Sequence, residues 1–430
     1  MVAASPSQRI DQVTQAKQIV VIGGGVVGVC TAYHLAAAGH EVVVVERHHN
    51  VAQEASYANG GVIAPGYAMP WAAPGMPKKI LSYLFKSEAP VLLKPTLDRA
   101  LWRWVRQWMA ECDIDRYRIN KERMQRVAFY SRDVLKQMRE QFQIDYEQTQ
   151  GVLQLFRSQH DMKLAEPACA MLEEAGVPHQ VVDAEGALAI EPSLHEQTAL
   201  SGGLYLPQDE SGNCPLFTKR LKYIAHSIGV HFHFTSSVHS IQPEGGRVAL
   251  RIDDQIFSAD AVVVAAGIDS ARLLKPLGIQ IPLYPVKGYS ATASIKNFDR
   301  APRASVVDES YKVGITRMGN RIRVAGTAEL GSRNVELHQA AIRTLVKVGD
   351  DWFPDAANYN TSTFWCGIRP MLPDGPPLLG ATPVRNIYVN IGHGSTGWAM
   401  AAGSGKVVAD IISGRAPEID MDGLTLSRYG

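Results

Sequence analysis

The chain is poor in cysteine and has no long apolar run. Five cysteines, Cys30, Cys112, Cys169, Cys214 and Cys366, are scattered over 430 residues without a CxxC pair. That argues against a disulfide framework or a cysteine zinc site and points to a reducing, cytoplasmic compartment. No stretch of eighteen apolar residues occurs, so no transmembrane helix is expected. The first sixteen residues have no apolar segment of the signal-peptide kind and read as a flexible extension. Neither charge is in excess. The formal net charge of +1 leaves no electrostatic footprint of a nucleic-acid binder. Internal repeats and low-complexity tracts are also missing. A chain this long outgrows one comfortable core, so two domains, possibly interleaved, are expected.

What is there begins with a strand, a glycine turn and a helix. Ile19 to Ile22 is continuously apolar, as a strand buried on both faces must be. Val26 to Ala38 is small and apolar, Gly39 ends that helix, and Glu41 to Glu46 reads as a second strand. Ala64 to Pro95 turns irregular, with one amphipathic piece near Lys78 to Phe85. Helical periodicity follows over Arg99 to Cys112 and Glu122 to Gln143. Gly151 to Phe156 reads as a strand and Leu216 to Ile228 as a helix. Val230 to Phe234, Val238 to Ile241, Arg247 to Ile252 and Gln255 to Val264 read as strands. Near the C-terminus the opening theme returns: strand Ile387 to Ile391, the turn GHGSTGW, then a helix over Ala399 to Ile412.

In VVIGGGVVGV, Gly23, Gly25 and Gly28 have the GxGxxG spacing just after Ile22 and around Val26 and Val27. Gly23 permits the tight turn, Gly25 lets a pyrophosphate approach the backbone, and Gly28 lets the helix lie close to the strand. The helix N-terminus offers free N–H groups and the positive end of its dipole. Glu46, at the end of the second strand, suits the ribose hydroxyls of an adenosine and disfavours a 2′-phosphate. The motif alone does not separate NAD from FAD. A second glycine turn at the far C-terminus and the loop SYANGG favour FAD.

These pieces resemble the FAD-dependent D-amino-acid oxidase superfamily, and within it the bacterial D-amino-acid dehydrogenase small-subunit branch. The matching stretches include ASYANGGVIAPGYAMPWAAPG, LPQDESGNC, YPVKGYS, DESYKVGITR, FWCGIRPMLPDGPPLLG and NIGHGSTGWAMAAGSGK. The resemblance implies an α/β fold: a discontinuous Rossmann-like FAD-binding domain interleaved with a substrate domain on an antiparallel or mixed sheet. The expected division assigns 17–66, 213–279 and 365–430 to FAD, and 67–212 and 280–364 mainly to substrate. It further implies that Arg47 and Ser56 contact the pyrophosphate and ribitol, and that Asn59, Gly60, Gly61, Val62 and Ile63 run beside the isoalloxazine. Val238 meets the adenine by the same resemblance, and Ala265, Ala266 and Gly267 pack on the cofactor. Gly392, His393, Gly394, Ser395, Thr396, Gly397 and Trp398 match the C-terminal flavin turn. A second helix N-terminus there would stabilise negative charge on a reduced flavin. His393 reads equally as a flavin neighbour or a structural loop histidine.

On the substrate side, Arg369 in WCGIRP resembles the family's carboxylate-binding arginine, whose planar fork grips both oxygens. Tyr311 in DESYKVG aligns with a tyrosine that supports the same carboxylate; taken alone it reads as a core aromatic. The backbone carbonyl of Ser395 falls where the family accepts the substrate amine. The implied reaction is oxidative deamination of a D-amino acid, D-alanine included, to a 2-oxo acid and ammonia. Hydride passes to flavin N5 and the electrons go on to a quinone or another acceptor. The alternative is an oxidase of glycine, sarcosine or a D-imino acid that releases hydrogen peroxide. His231, His233 and His239 match no metal signature, so no metal is expected. Trp102, Trp104 and Trp108 with Arg99, Arg103 and Arg106 would suit either a peripheral contact with the cytoplasmic face of a membrane or a helix packed on its own domain.

Overall fold

The computed structural model describes residues 15–83, 89–94, 96–332 and 334–429. The expected extension therefore lies almost wholly outside the described residues, as does Phe85. The opening unit consists of β1 (Gln18–Ile22), α1 (Val26–Ala37) and β2 (Glu41–Val45). Alternate residues of β1 go to different cores. Ile19 and Val21 pack with α1 and the C-terminal helix Gly397–Ile412, whereas Val20 and Ile22 pack on the opposite face. Both faces are covered, which is why the strand is apolar throughout.

A six-stranded sheet is built on this unit, in the order Leu378–Ala381, Ile387–Ile391, Ala261–Val264, β1, β2, His231–His233. All its pairings are parallel except that of the edge strand Leu378–Ala381. An antiparallel meander, Val238–Glu244, Arg247–Ile252 and Gln255–Ala259, supplies Val238, Ile241, Val248 and Leu250 to the core beneath it. The stretch read as one strand from Gln255 to Val264 is two strands in two sheets. Asp260 divides them: its carboxylate accepts the Gln18 N–H at 2.8 Å and pairs with Arg247.

The second sheet has ten strands and mixed pairing. Along its main path Thr363–Met371 lies beside Tyr284–Ser294, followed by Arg321–Leu330, Val313–Met318, Ser305–Asp308, Thr149–Phe156, Gly202–Ser211 and Val62–Ile63. Two segments expected in the cofactor domain thus pair in this sheet: Val62–Ile63, against Ser211 and Glu210, and Thr363–Met371. The chain crosses between sheets just after Asn59–Gly60 and just after Met371. Helix Gln339–Trp352 backs this sheet. It buries Ala341, Leu345, Val348 and Trp352, a stripe at helical spacing that the sequence reading left out.

Candidate functional site

A cleft partly open to solvent is lined by residues of both sheets, with about 1610 Å³ of empty space that includes open solvent. Its first wall is the glycine turn. Gly23 has φ +111°, and a Cβ there would stand 2.6 Å from the Ala265 carbonyl oxygen. A Cβ on Gly28 would collide with the Gly23 carbonyl oxygen, so Gly28 serves the packing of α1 and does not line the cleft. Gly25 differs. A Cβ there would meet only Ser56 Oγ, at 3.5 Å. The protein leaves that position open, as a cradle for a bound pyrophosphate requires.

Two helices end at this cleft without a side chain of their own as cap: α1 at Gly25, and Gly397–Ile412 at Thr396. Ser56 Oγ accepts the Val26 N–H at 3.2 Å. The first-turn N–H groups of both helices therefore favour an anionic occupant. Glu46 accepts the Gly24 and His48 N–H groups, at 2.6 and 2.8 Å, one on each carboxylate oxygen. Its remaining lone pairs suit ribose hydroxyls. Ile22, Val26, Val27, Val238, Ala265, Ala266 and Gly267 line the same half of the cleft. Arg47 lines it too, paired at the mouth with Glu54 and with Asp269, the latter at 2.6 Å.

The segment expected beside the isoalloxazine divides in two. Asn59 and Gly60 line the cleft; Gly61, Val62 and Ile63 do not. The carbonyls of Asn59 and Gly60 accept from Arg323 Nη1 at 3.1 Å and Thr316 Oγ1 at 2.9 Å, which pins their backbone to the ten-stranded sheet. A Cβ on Gly61 would stand 2.9 Å from the Gly212 carbonyl oxygen, and the chain then enters its strand.

Gly392, His393, Gly394, Ser395, Gly397 and Trp398 reach the cleft, with Gly392 and Gly394 at φ +79° and +56°. Thr396 does not line it. Its N–H and hydroxyl both donate to the His393 carbonyl, at 3.2 and 3.3 Å, and close the turn. His393 lines the cleft, and its Nε2 bonds Ser404 Oγ at 3.0 Å. Burial pushes its imidazole down to about 3, so it is neutral at ordinary pH.

Arg369 lines the other end of the cleft. Its guanidinium lies across the Cα of Gly288 on the neighbouring strand, where a Cβ would strike it. Among the described residues no carboxylate lies within ion-pair distance of it. Burial lowers its pKa from 12.5 to about 10, and it stays charged. A desolvated cation without a counter-ion is costly unless an anion completes the site. Tyr311 does not join it. The Asp308 carboxylate accepts the Ser310 and Tyr311 N–H groups in a tight turn. The Tyr311 ring is held between Arg157 and Lys347, 4.9 and 5.5 Å from its centroid, in the core beside helix Gln339–Trp352. Tyr311, expected to support the substrate carboxylate, is half-buried against this core and does not line the cleft. Among the described residues the tyrosine that does line the cleft, Tyr289, donates its hydroxyl to Glu329.

Sequence reasoning missed Gly288, Gly367 and Trp365, which line the cleft around Arg369. The signal was the alternation of Trp365, Gly367 and Arg369, which puts all three on one face of a strand. A family pattern described as FAD dependent oxidoreductase matches residues 18–411. A D-amino acid dehydrogenase of Bradyrhizobium diazoefficiens is 45% identical over 96% of this chain and 99% of its own length. D-amino acid dehydrogenase 1 of Mesorhizobium japonicum is 46% identical over the same shares. The solved structure of glycine oxidase from Geobacillus kaustophilus superposes with a TM-score of 0.77 at 23% identity, over 97% of this chain and 100% of that one. L-proline dehydrogenase from P. horikoshii gives 0.73 at 18%, over 96% and 98%. At such identities the two structures speak for the fold alone.

Proposed function

Because the chain belongs to the FAD-dependent oxidoreductase family, we propose that it oxidises D-amino acids to 2-oxo acids and ammonia, passing electrons to a quinone or another acceptor. The observation that carries this is Arg369: a charged guanidinium with no carboxylate within ion-pair distance among the described residues, in the cleft that the two helix N-termini share. The D-hand rests on the relatives named D-amino acid dehydrogenase, which match nearly the whole chain.

FAD, when bound, supplies the two-electron acceptor chemistry that no side chain offers. Gly25, Ser56, Glu46 and the α1 N-terminus would hold its dinucleotide part; Asn59, Gly60 and Gly392–Trp398 would flank its ring. Arg369 binds the substrate carboxylate through its planar fork. The Ser395 carbonyl accepts a hydrogen bond from the neutral amine, so the amine lone pair stays free to push electrons toward the α-carbon. Neutral His393 adds no positive charge that would compete for the carboxylate. Catalysis on this account is positioning, without a general base on carbon. Water then hydrolyses the imino acid. A screen of D- and L-amino acids with a dye acceptor tests the assignment: D-selective turnover supports it, and absence of turnover with any amino acid opposes it. Peroxide release in air would instead favour an oxidase.

The peripheral contact is also proposed, on a narrower basis than the sequence suggested. Trp104 and Trp108 are buried, and Trp104 Nε1 donates to the Met371 carbonyl at 3.1 Å. What remains outside is Leu81, Leu97, Trp102 and Met109, with Arg99, Arg103 and Arg106 around them. Among the described residues no helix is long and apolar enough to cross a membrane. Co-sedimentation with anionic vesicles is expected and should weaken in Trp102→Ala; equal recovery in the supernatant with and without vesicles would refute it.

A further inference from the structure

The cleft face of the ten-stranded sheet carries two opposed glycines. Gly288 and Gly367 stand directly across from each other on adjacent antiparallel strands. A Cβ on Gly288 would strike the guanidinium of Arg369, and a Cβ on Gly367 would strike the six-membered ring of Trp365. Each absent side chain is thus replaced by a neighbour folded across the gap. Facing Cβ positions on paired strands lie about 5 Å apart. The ring of Trp365 therefore stands beside the guanidinium of Arg369, and both line the cleft. Trp365 is backed on its outer side by Tyr57, ring centroids 6.1 Å apart. Trp365, Gly367 and Arg369 alternate along one strand, so the indole and the guanidinium are held at a fixed spacing by the same backbone.

We propose that Trp365 sets the size limit on the substituent next to the substrate carboxylate, admitting small side chains and turning away bulky ones. The proposal rests on the assignment of Arg369 as carboxylate anchor. A carboxylate gripped by Arg369 leaves its α-carbon one bond further out, with the indole alongside. The α-substituent must then occupy space that the ring bounds. An indole has few rotamers and a large rigid surface, so it limits volume more sharply than a flexible side chain would. Smaller residues at position 365 open the space over Gly367.

The test measures kcat/KM of flavin-loaded wild type, Trp365→Phe, Trp365→Leu and Trp365→Ala for D-alanine, D-valine and D-phenylalanine. The ratio of D-phenylalanine to D-alanine should rise as residue 365 shrinks, by about tenfold or more in Trp365→Ala, the discrimination that lost pocket contacts ordinarily carry. In parallel, acetate, 3-methylbutyrate and phenylacetate are titrated while the flavin absorbance is followed. Phenylacetate should gain on acetate in the same order. An unchanged substrate ratio across flavin-loaded variants overturns the proposal, and so does an unchanged ratio of acid affinities. If Trp365→Ala loses flavin, the phenylalanine and leucine variants give the same reading. If wild type oxidises no amino acid yet the acids still show the graded shift, the function proposed above fails while the role of Trp365 stands.

Discussion

At the scale of single residues, the cleft-lining cation on the ten-stranded sheet is Arg369. Replacing it with alanine should cost roughly 3 to 5 kcal/mol in kcat/KM, the loss typical of truncating one partner of a buried charge pair. Flavin content should survive, because Arg369 lies on the substrate-side sheet. Lysine should restore only part, since it lacks the planar fork. Tyr311→Phe, in contrast, should leave kcat/KM within about twofold, as Tyr311 does not line the cleft and surface-type changes away from a site are usually small. A large loss in Tyr311→Phe, or wild-type kinetics in Arg369→Ala, would reverse the two assignments. The sequence pointed to Arg369 because a motif carries it. The facing of Tyr311 was less legible, because it depends on a turn in which Asp308 collects the Ser310 and Tyr311 N–H groups, and that is invisible in one dimension. Gly288 was illegible for a related reason. Its reason to be glycine is a guanidinium on a different strand, known only once the register is known.

At the scale of elements, α1 and the C-terminal helix were legible because each is announced locally by a strand, a glycine turn and a small-residue helix. Their glycines should nevertheless respond differently. Gly25→Val should fold and be recovered without flavin, because its side chain enters open space that the pyrophosphate needs. Gly28→Val should fail to fold, because its Cβ meets the Gly23 carbonyl oxygen. Circular dichroism and flavin absorbance on the pair check this; a yellow, fully loaded Gly25→Val protein would defeat the cradle. His34 in α1 and His393 in the turn before the C-terminal helix are both shielded from water. Burial pushes both His34 and His393 down to about 3 from an ordinary 6.5. Their folded pKa is depressed, so below pH 6.5 the unfolded chain takes up protons that the folded chain refuses. Stability should therefore fall as pH drops from 6.5 toward 3, by up to about 1.4 kcal/mol per pH unit for each histidine. Urea midpoints between pH 7 and pH 4.5 should decline less steeply in His393→Gln, and an unchanged slope would contradict the assignment of His393 as a buried neutral group.

At the scale of the whole molecule, the cleft exists because two sheets are threaded through each other. The six-stranded sheet takes its strands from both ends of the chain and from its middle, His231–His233 and Ala261–Val264, and the ten-stranded sheet includes Val62–Ile63 and Thr363–Met371. Each crossing brings a flavin-side segment and a substrate-side segment together: Asn59–Gly60 before one crossing, Trp365–Arg369 before the other. Local patterning could announce the segments but not their pairing, which depends on strands far apart in sequence. That is why the glycine pair under Arg369 and Trp365 emerged only in three dimensions. The central claim, that this arrangement holds one hand of an amino acid against a bound flavin, is open to a direct measurement. Purified protein is mixed anaerobically with D-alanine, and separately with L-alanine, while the flavin absorbance near 450 nm is followed. Bleaching is expected with D-alanine alone, faster at higher pH as the amine loses its proton, and should be largely lost in Arg369→Ala. Equal bleaching by both hands, or none by a series of D-amino acids with flavin fully bound, would contradict it.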